Sequence, residues 1–235
     1  MVPIELRKLA NNIRDKNLRN KTIDLLENPV FTLDRRTYAG LPLDVAPAGK
    51  SRHHSYPGGY IEHVSSSVRI AIAMCDSVER IYHGKVNRDL VIAGILLHDL
   101  YKPATYSTPK NGYYGSTPLA DYMDHLSIAA AEVARRDFPI ELVHIVLAHH
   151  GEFGPIRPKT VEALVCHLAD SADSRLNGEV MNAAAYLARR VTGQELRGMN
   201  SKEAFEIVRS KTAEGWDGVD EALKAICRRR RRQKP

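Results

Sequence analysis

The chain of 235 residues carries 34 Lys and Arg residues against 28 Asp and Glu residues, which gives a formal net charge of +6. This excess lies at one end, because residues 228–235 hold five arginines and one lysine, and removing these six leaves 28 basic residues against 28 acidic ones. A basic excess is typical of nucleic-acid binding. Here the sequence confines it to the C-terminal tail, so contact between this tail and a nucleic acid is one hypothesis, and the body is formally neutral.

The composition excludes several classes of protein. A hydrophobic content of 43% and a charged content of 26% predict a folded core and exclude a wholly disordered chain. No apolar run approaches the roughly 18–20 residues that a membrane span needs, and the first residues lack the apolar stretch of a signal peptide. Cys75, Cys166 and Cys227 are far apart and odd in number, which favours a reducing compartment over a disulfide scaffold. We therefore expect a cytoplasmic protein that makes no contact with a membrane.

The first fifty residues predict one helix and a connector. Apolar residues recur at helical spacing from Leu6 to Glu27, which predicts a single amphipathic helix that ends at Asn28-Pro29. Residues 29–58 are rich in proline and glycine and predict an irregular connector.

From Gly59 onward the pattern predicts a succession of helices. They are expected at about 59–82, 87–97, 121–138, 140–150, 160–175, 177–192 and 201–213, with a last one after residues 216–218. Asn87 or Asp89 is the expected cap of the second of these. Residues 103–118 predict a loop, with a short hairpin or flap as one form of it. Since no run of alternating strands is present, the predicted fold class is all-α.

Seven side chains stand at helix positions beside apolar residues, where solvated residues are not expected. They are His63, His98, Asp99, His125, His149, His150 and Asp170. Burying a charged Asp99 is unfavourable unless the carboxylate is paired or bound to a metal. Imidazole and carboxylate suit Mn, Fe, Co, Ni and Zn, and neighbouring helix residues point about 100° apart, so the His-Asp and His-His pairs can address two metals. One or two divalent cations are predicted, with a purely structural histidine cluster as the alternative.

The order, spacing and flanks of these residues resemble the HD-domain metal-dependent phosphohydrolases over about 54–180. Residues 58–63, Gly-Gly-Tyr-Ile-Glu-His, resemble the family's Gly-Gly-Leu-Leu-Glu-His, and residues 97–102, Leu-His-Asp-Leu-Tyr-Lys, resemble Leu-His-Asp-Ile-Gly-Lys. The resemblance implies an HD-domain helical bundle at 51–195. An N-terminal helix and connector at 1–50 would precede it, and a C-terminal helical extension with the basic tail, at 196–235, would follow.

Within this superfamily the chain most resembles the HD domain of YhaM-type 3′–5′ exoribonucleases. The matching segments are residues 52–54, 148–152 with 157–159, and 168–175. Three departures are visible: residues 1–50 cannot form the OB-type nucleic-acid domain of those enzymes, Tyr101 replaces a glycine of the signature, and Asp124 stands where a small residue is usual.

The two-metal members of the superfamily imply roles for the seven residues. One metal would be held by His63, His98, Asp99 and Asp170, and Asp99 would bridge to a second metal held by His125, His149 and His150. Metal-bound hydroxide would then attack phosphorus. Lys102, with Asp99, is the predicted catalytic residue and would contact a phosphate oxygen or assist the leaving group; a solvated cation at a helix end is the alternative.

Further residues are expected to bind substrate or to have structural roles. The predicted substrate-binding residues are His54, Arg157, Lys159 and Arg175, and solvated surface positions are the alternative for each. Asp173 is a candidate partner of Arg175. The histidines interpreted as structural are His53, His83, His144 and His167.

The leading hypothesis is a metal-dependent phosphohydrolase that cleaves a phosphoester of a nucleotide or RNA. The neutral body suits a phosphorylated small molecule or nucleotide, and the tail suits RNA. The alternative is a non-catalytic, metal-stabilised module that binds nucleotides for regulation. The sequence leaves the oligomeric state open.

Overall fold

The structure, a computed structural model, describes residues 3–110, 113–194 and 196–232. Its helices are α1 (Ile4–Ala10), α2 (Lys16–Glu27), α3 (Gly59–Arg80), α4 (Arg88–Leu97), α5 (Lys102–Thr105), α6 (His125–Arg135), α7 (Ile140–Ala148), α8 (Val161–Thr192) and α9 (Ser201–Arg232). Its strands are β1 (Val30–Leu33), β2 (Arg36–Ala39), β3 (Tyr106–Lys110) and β4 (Tyr113–Ser116), which pair as two antiparallel hairpins, β1–β2 and β3–β4. The predicted all-α class is confirmed.

The predicted single helix over 6–27 is wrong, because the chain breaks between α1 and α2. The Asp15 side chain caps α2 by accepting a hydrogen bond from the backbone N–H of Leu18 at 2.8 Å. The carboxylate of Asp89, at the start of α4, accepts the backbone N–H groups of Arg14 and Asp15 at 3.0 and 2.8 Å. The break is therefore held by a residue distant in sequence, which a local apolar pattern cannot reveal.

Three other boundaries differ from those predicted. The connector at 29–58 contains the β1–β2 hairpin, where Phe31 is buried against the main core. Helix α6 begins only at His125, because the Asp124 carboxylate accepts the Ser127 N–H at 2.7 Å and caps the helix there. The predicted helices 160–175 and 177–192 form one helix, α8, which packs against α3 and α9 along its length, and such tertiary packing overrides a weak local break signal.

Three other predictions agree with the structure: the segment 103–118, the cap of α4 and the break near residue 215. The segment 103–118 forms the β3–β4 hairpin after α5, and its residues 111–112 lie outside the described residues. Asn87 caps α4 as expected, since its side chain accepts the N–H groups of Asp89 and Leu90. Gly215 adopts φ 70° and ψ −148° inside α9, so this helix bends where the sequence predicts a break.

The C-terminal arginines are partly docked. The Arg230 guanidinium pairs with both carboxylate oxygens of Glu203 and donates to the backbone carbonyls of Arg197 and Gly198. Arg229 pairs with Glu206 at 2.6 Å. Part of the basic tail therefore holds α9 against the turn before it, and residues 233–235 lie outside the described residues.

Helix α4 lies at the centre of the main core. Every residue from Leu90 to Leu97 is buried, and α4 contacts α2, α3, α7 and α8. At Gly94 the packing is so close that a Cβ would lie 2.5 Å from the Ile145 side chain of α7. Because α4 is enclosed on all sides, the two residues that follow it, His98 and Asp99, lie in the middle of the bundle.

The main core cluster also includes residues of α1 and α2, such as Leu6 and Leu25, and a second cluster joins the end of α8 to α9 through residues such as Leu187 and Ile207.

The division of the chain into domains at 1–50, 51–195 and 196–235 stays a prediction. Among the described residues, no helix combines the length and apolarity required to cross a membrane.

Candidate metal centre

The seven predicted ligands converge from five places in the bundle. His63 lies in α3, His98 and Asp99 follow α4, His125 opens α6, His149 and His150 follow α7, and Asp170 lies in α8. Their donor atoms form two groups, each with all its atoms within 4.8 Å of one another: His63, His98 and Asp170 in the first group, and Asp99, His125, His149 and His150 in the second.

Asp99 is fully buried, and its two carboxylate oxygens face different imidazoles. Its Oδ2 atom lies 3.4 Å from Nε2 of His63 and 3.3 Å from Nε2 of His98. Its Oδ1 atom lies 3.3 Å from Nε2 of His125 and 3.5 Å from Nε2 of His149. Each carboxylate oxygen thus faces one group, which is the arrangement that a bridging carboxylate requires.

The hydrogen bonds of the histidine rings test whether this donor set suits a cation. Nδ1 of His98 donates to the Ile95 carbonyl at 2.7 Å, and Nδ1 of His149 donates to the Val146 carbonyl at 2.6 Å. With these Nδ1 protons in place, the Nε2 lone pairs face the carboxylate of Asp99, which is repulsive unless a cation or a proton lies between them.

Three buried polar atoms of these side chains also indicate a site for a cation. Asp99 Oδ1 and the Nε2 atoms of His125 and His149 are buried and have no hydrogen-bond partner within the described part of the chain. Buried polar groups are normally satisfied, and a divalent cation would satisfy these three at once. The donor set of imidazole and carboxylate therefore fits the predicted class of divalent metal.

The charges of the centre shift the pKa values of its members. Burial lowers the pKa of His98, but the Asp99 and Asp170 carboxylates outweigh burial and raise it to about 9. Burial alone would raise the pKa of Asp99, yet His98 and Lys102 hold this pKa well below its ordinary value. Without metal, a proton on His98 thus occupies the place suited to a cation.

Metal binding is expected to release protons near neutral pH. His98 is protonated below about pH 9 in the metal-free protein, so an incoming cation must displace that proton. The apparent metal affinity should rise with pH and level off once pH exceeds the His98 pKa. Calorimetric titration with Mn²⁺ in buffers of different ionisation enthalpy measures the protons released, and a binding enthalpy independent of buffer would contradict the expectation.

Asp173 belongs to the site, although the sequence predicts it as a candidate partner of Arg175. Its Oδ2 atom lies 2.7 Å from Nδ1 of His63, and it contacts His63 rather than Arg175. The carboxylate also lies 3.7 Å from Nδ1 of His54. The signal was available, because Asp173 follows Asp170 by three residues and so lies on the same face of α8.

Replacing Asp173 with asparagine should weaken metal binding about 10–100-fold, since a carboxylate that orients a ligating histidine also raises its basicity. Competition titration with a chelator and element analysis measure this change. Asp217→Asn, at an exposed position in α9, is the matched control and should bind metal like the wild type. Equal affinities in the two variants would show that Asp173 does not support His63.

Lys102 lies beside the bridging carboxylate. Its Nζ atom is 2.6 Å from Asp99 Oδ2 and its side chain is only 13% exposed. Burial lowers the pKa of Lys102, but Asp99 outweighs burial and raises this pKa, so the ammonium group stays charged. Its enclosed position differs from that of a solvated cation at a helix end.

The predicted substrate-binding residues lie in different surroundings. His54 is buried, and its backbone N–H donates to Asn177 Oδ1 at 2.8 Å. The Arg157 side chain is exposed and lies 3.8 Å from Glu152, and Lys159 and Arg175 are exposed as well. The structure brings His54 to the centre, whereas the other three side chains make no polar contact with the seven candidate ligands within the described ranges.

The histidines interpreted as structural divide into two kinds. His144 accepts the Lys159 N–H at 2.9 Å, and His167 donates to the His149 carbonyl at 2.7 Å, so both support nearby backbone. His83 is exposed. His53 lies much closer to the centre than expected, with its ring centroid 5.2 Å from that of His63.

Known proteins support the same interpretation. The family model described as "HD domain" matches residues 60–175. The dihydroneopterin 2′,3′-cyclic phosphate phosphodiesterase of Methanocaldococcus jannaschii is 39% identical over 226 residues, which cover 95% of this chain and 89% of that protein. The chain belongs to the HD-domain family. It is a metal-dependent phosphohydrolase, as the sequence predicts.

Other relatives of this HD-domain protein are matched over a shorter stretch. The 3′–5′ exoribonuclease YhaM of Bacillus subtilis is 32% identical, and that of Listeria innocua is 35% identical, each over 142 residues. The match covers 56% of this chain and 43% of each exoribonuclease. No solved structure gives a significant match. The predicted resemblance to the superfamily and to YhaM-type HD domains is confirmed.

Proposed function

We propose that this HD-domain protein hydrolyses a 2′,3′-cyclic phosphodiester of a nucleoside-like compound with two divalent cations. The observation that carries the proposal is the position of Asp99, whose two carboxylate oxygens each face one group of imidazoles. The substrate class is supported by the relative named for dihydroneopterin 2′,3′-cyclic phosphate, which aligns with nearly the whole chain.

The ligand set favours Mn²⁺ or Fe²⁺ for the two positions. The candidate ligands are imidazoles and carboxylates without a thiolate, which is a donor set that suits these metals, with Co²⁺, Ni²⁺ and Zn²⁺ as competitors. When bound, such cations lower the pKa of water and neutralise the charge that develops on phosphoryl oxygens. His63, His98 and Asp170 would hold the first cation, and His125, His149 and His150 the second.

The protein groups around the cations have separate tasks. Asp99 would contribute a carboxylate oxygen to each of the two positions, and Asp173 orients His63 through its Nδ1 atom. Lys102 presents a buried ammonium group beside Asp99, where it can donate a proton or a hydrogen bond to the ribose-type oxygen that leaves when the cyclic ester opens. The imidazoles of His98 and His149 are kept in position by their backbone hydrogen bonds.

The decisive experiment is a substrate comparison with Mn²⁺-loaded protein. Adenosine 2′,3′-cyclic phosphate, dihydroneopterin 2′,3′-cyclic phosphate, adenosine 3′,5′-cyclic phosphate and single-stranded RNA are offered separately, and phosphomonoester products are quantified. Hydrolysis of the 2′,3′-cyclic compounds ahead of the other two is expected. Degradation of RNA from its end with the cyclic compounds left intact would replace the proposal by an exoribonuclease activity. His83→Asn, an exposed histidine away from the centre, is the control and should retain activity.

A role of the basic tail in RNA contact is a separate prediction. Arg229 and Arg230 already pair with Glu206 and Glu203, so the test removes charge from two exposed tail arginines outside these pairs, Arg231 and Arg232. If they contact phosphates, changing both to Gln should weaken RNA binding and reduce the slope of log affinity against log salt concentration by about one to two units.

We also propose a reducing, cytoplasmic location, since Cys75, Cys166 and Cys227 are free thiols.

A further inference from the structure

A pocket lies beside the candidate metal centre. It has a volume of about 280 Å³ and is bordered by the segment before α3, by Tyr113 of β4, by α8 and by the turn before α9. Met181, Leu196 and Met199 supply apolar surface, and the Asn182 amide supplies a polar group. None of the seven candidate metal ligands lines this pocket, so its chemistry is separate from that of the cations.

The charged side chains that line this pocket are all positive within the described part of the chain. They are Lys50, Arg52 and Arg197, and no carboxylate of a described residue joins them. Within the described residues, none of these three side chains takes part in an ion pair, in contrast to arginines such as Arg88 and Arg230. Three unpaired cations around one concavity repel one another, and an anion between them would relieve this repulsion.

The pocket adjoins the metal centre through two aromatic side chains. Arg52 directly precedes His53, whose ring centroid lies 5.2 Å from that of His63. The Lys50 ammonium group lies 5.4 Å from the centroid of the Tyr106 ring. Tyr106 directly follows α5, the short helix that begins at Lys102. One bound molecule could therefore reach from the cations to the pocket.

We infer that this pocket binds a second phosphoryl group of the substrate while the cyclic phosphodiester lies at the metal centre. The inference rests on the proposed function and narrows its substrate class to nucleotides that carry a further phosphate, such as a 5′-phosphate. Lys50, Arg52 and Arg197 supply the charge. Tyr113, which is 60% exposed, offers a flat ring at the pocket edge for a base.

The test compares two substrates that differ only in this phosphate. Mn²⁺-loaded wild-type protein is assayed with adenosine 2′,3′-cyclic phosphate and with its 5′-phosphorylated derivative. The 5′-phosphate is expected to lower KM about 10-fold, with kcat changed less than about two-fold, because charge-assisted contacts to a non-reacting group act on binding. Equal KM values for the two compounds would overturn the inference and leave the proposed function intact.

Charge-reversal variants of the pocket provide a second test of the inference. Arg52→Glu and Arg197→Glu should remove the preference for the 5′-phosphate and leave KM for the unphosphorylated compound within about two-fold, since only one substrate has the second anion. Arg36→Glu, an exposed position on β2 outside the pocket, is the control and should keep the preference. A preference that persists in both pocket variants would also overturn the inference.

If neither cyclic compound is hydrolysed, the proposed function fails but the pocket can still be judged by binding. Calorimetry of adenosine 2′-phosphate and adenosine 2′,5′-bisphosphate on the same Mn²⁺-loaded protein measures the effect of the second phosphate alone. An about 10-fold tighter Kd for the bisphosphate, lost in Arg52→Glu, supports the pocket. Equal Kd values count against it.

Discussion

Asp99→Asn is expected to reduce kcat for the proposed 2′,3′-cyclic phosphodiester substrate by roughly 10³-fold or more. Removal of a single stabilising hydrogen-bond donor from an active site already costs about 10²–10³-fold in kcat. The loss of Asp99 should cost more than the loss of one such donor, since each of its two oxygens faces a separate group of imidazoles.

If two cations are bound as proposed, the physical reason is the loss of a buried negative charge between them. Asparagine is nearly isosteric with aspartate but is neutral, and its amide nitrogen cannot act as a ligand in place of the second oxygen. The remaining histidines would then face two adjacent cations with less charge to offset their repulsion. At least one metal should be lost, and metal content should fall together with turnover.

Element analysis of the purified variant, alongside steady-state kinetics with added Mn²⁺, measures both effects. Asp217→Asn controls for the chemical change at an exposed site and should match the wild type in metal content and kcat. Full metal content with near-normal turnover in Asp99→Asn would exclude a bridging role for this carboxylate.

Lys102→Met is expected to lower kcat by roughly 10²-fold with a smaller change in metal content. Proton transfer from a positioned side chain contributes about 10²–10⁴-fold in general. The buried ammonium group of Lys102 is a suitable donor to the leaving oxygen, and methionine keeps the length of the side chain but removes the charge.

Two variants separate a role in the reaction from simple pairing with Asp99. Lys102→Arg retains the positive charge beside Asp99 but cannot transfer a proton near neutral pH, so metal content should stay normal while kcat stays low. Lys16→Met, at an exposed position at the start of α2, controls for the loss of a surface charge. Full recovery of kcat in Lys102→Arg would show that Lys102 contributes charge and not a proton.

Much of the fold could be predicted from local pattern. The apolar periodicity predicts α3, α4 and α7 with close boundaries, and Asn87 acts as the expected cap of α4. The break between α1 and α2 could not be predicted in this way, since Asp89 contributes to it from α4. Likewise α8 continues through the predicted break while it packs against α3 and α9, and such contacts are absent from a local pattern.

The site shows the same division. The sequence predicts the identities of the candidate ligands, because histidine and aspartate beside apolar residues such as Leu97 are costly without a cation. Adjacency on the chain brings His98 and Asp99 to one place. The partner of Asp173 was misassigned, because one face of α8 presents it to His63 in α3. The enclosed position of Lys102 also appears only when the chain is folded.

The sequence by itself determined the chemistry of this protein: which side chains can bind a divalent metal, and which family uses them in that order. The tertiary structure decided the geometry. Which oxygen of Asp99 faces which imidazole follows from the way α3, α4, α6 and α7 pack, and the pocket of Lys50, Arg52 and Arg197 exists only because the segment before α3, β4, α8 and the turn before α9 meet. The physical reason is that ligand type belongs to a residue, whereas distance and burial belong to the packing of helices far apart in the chain.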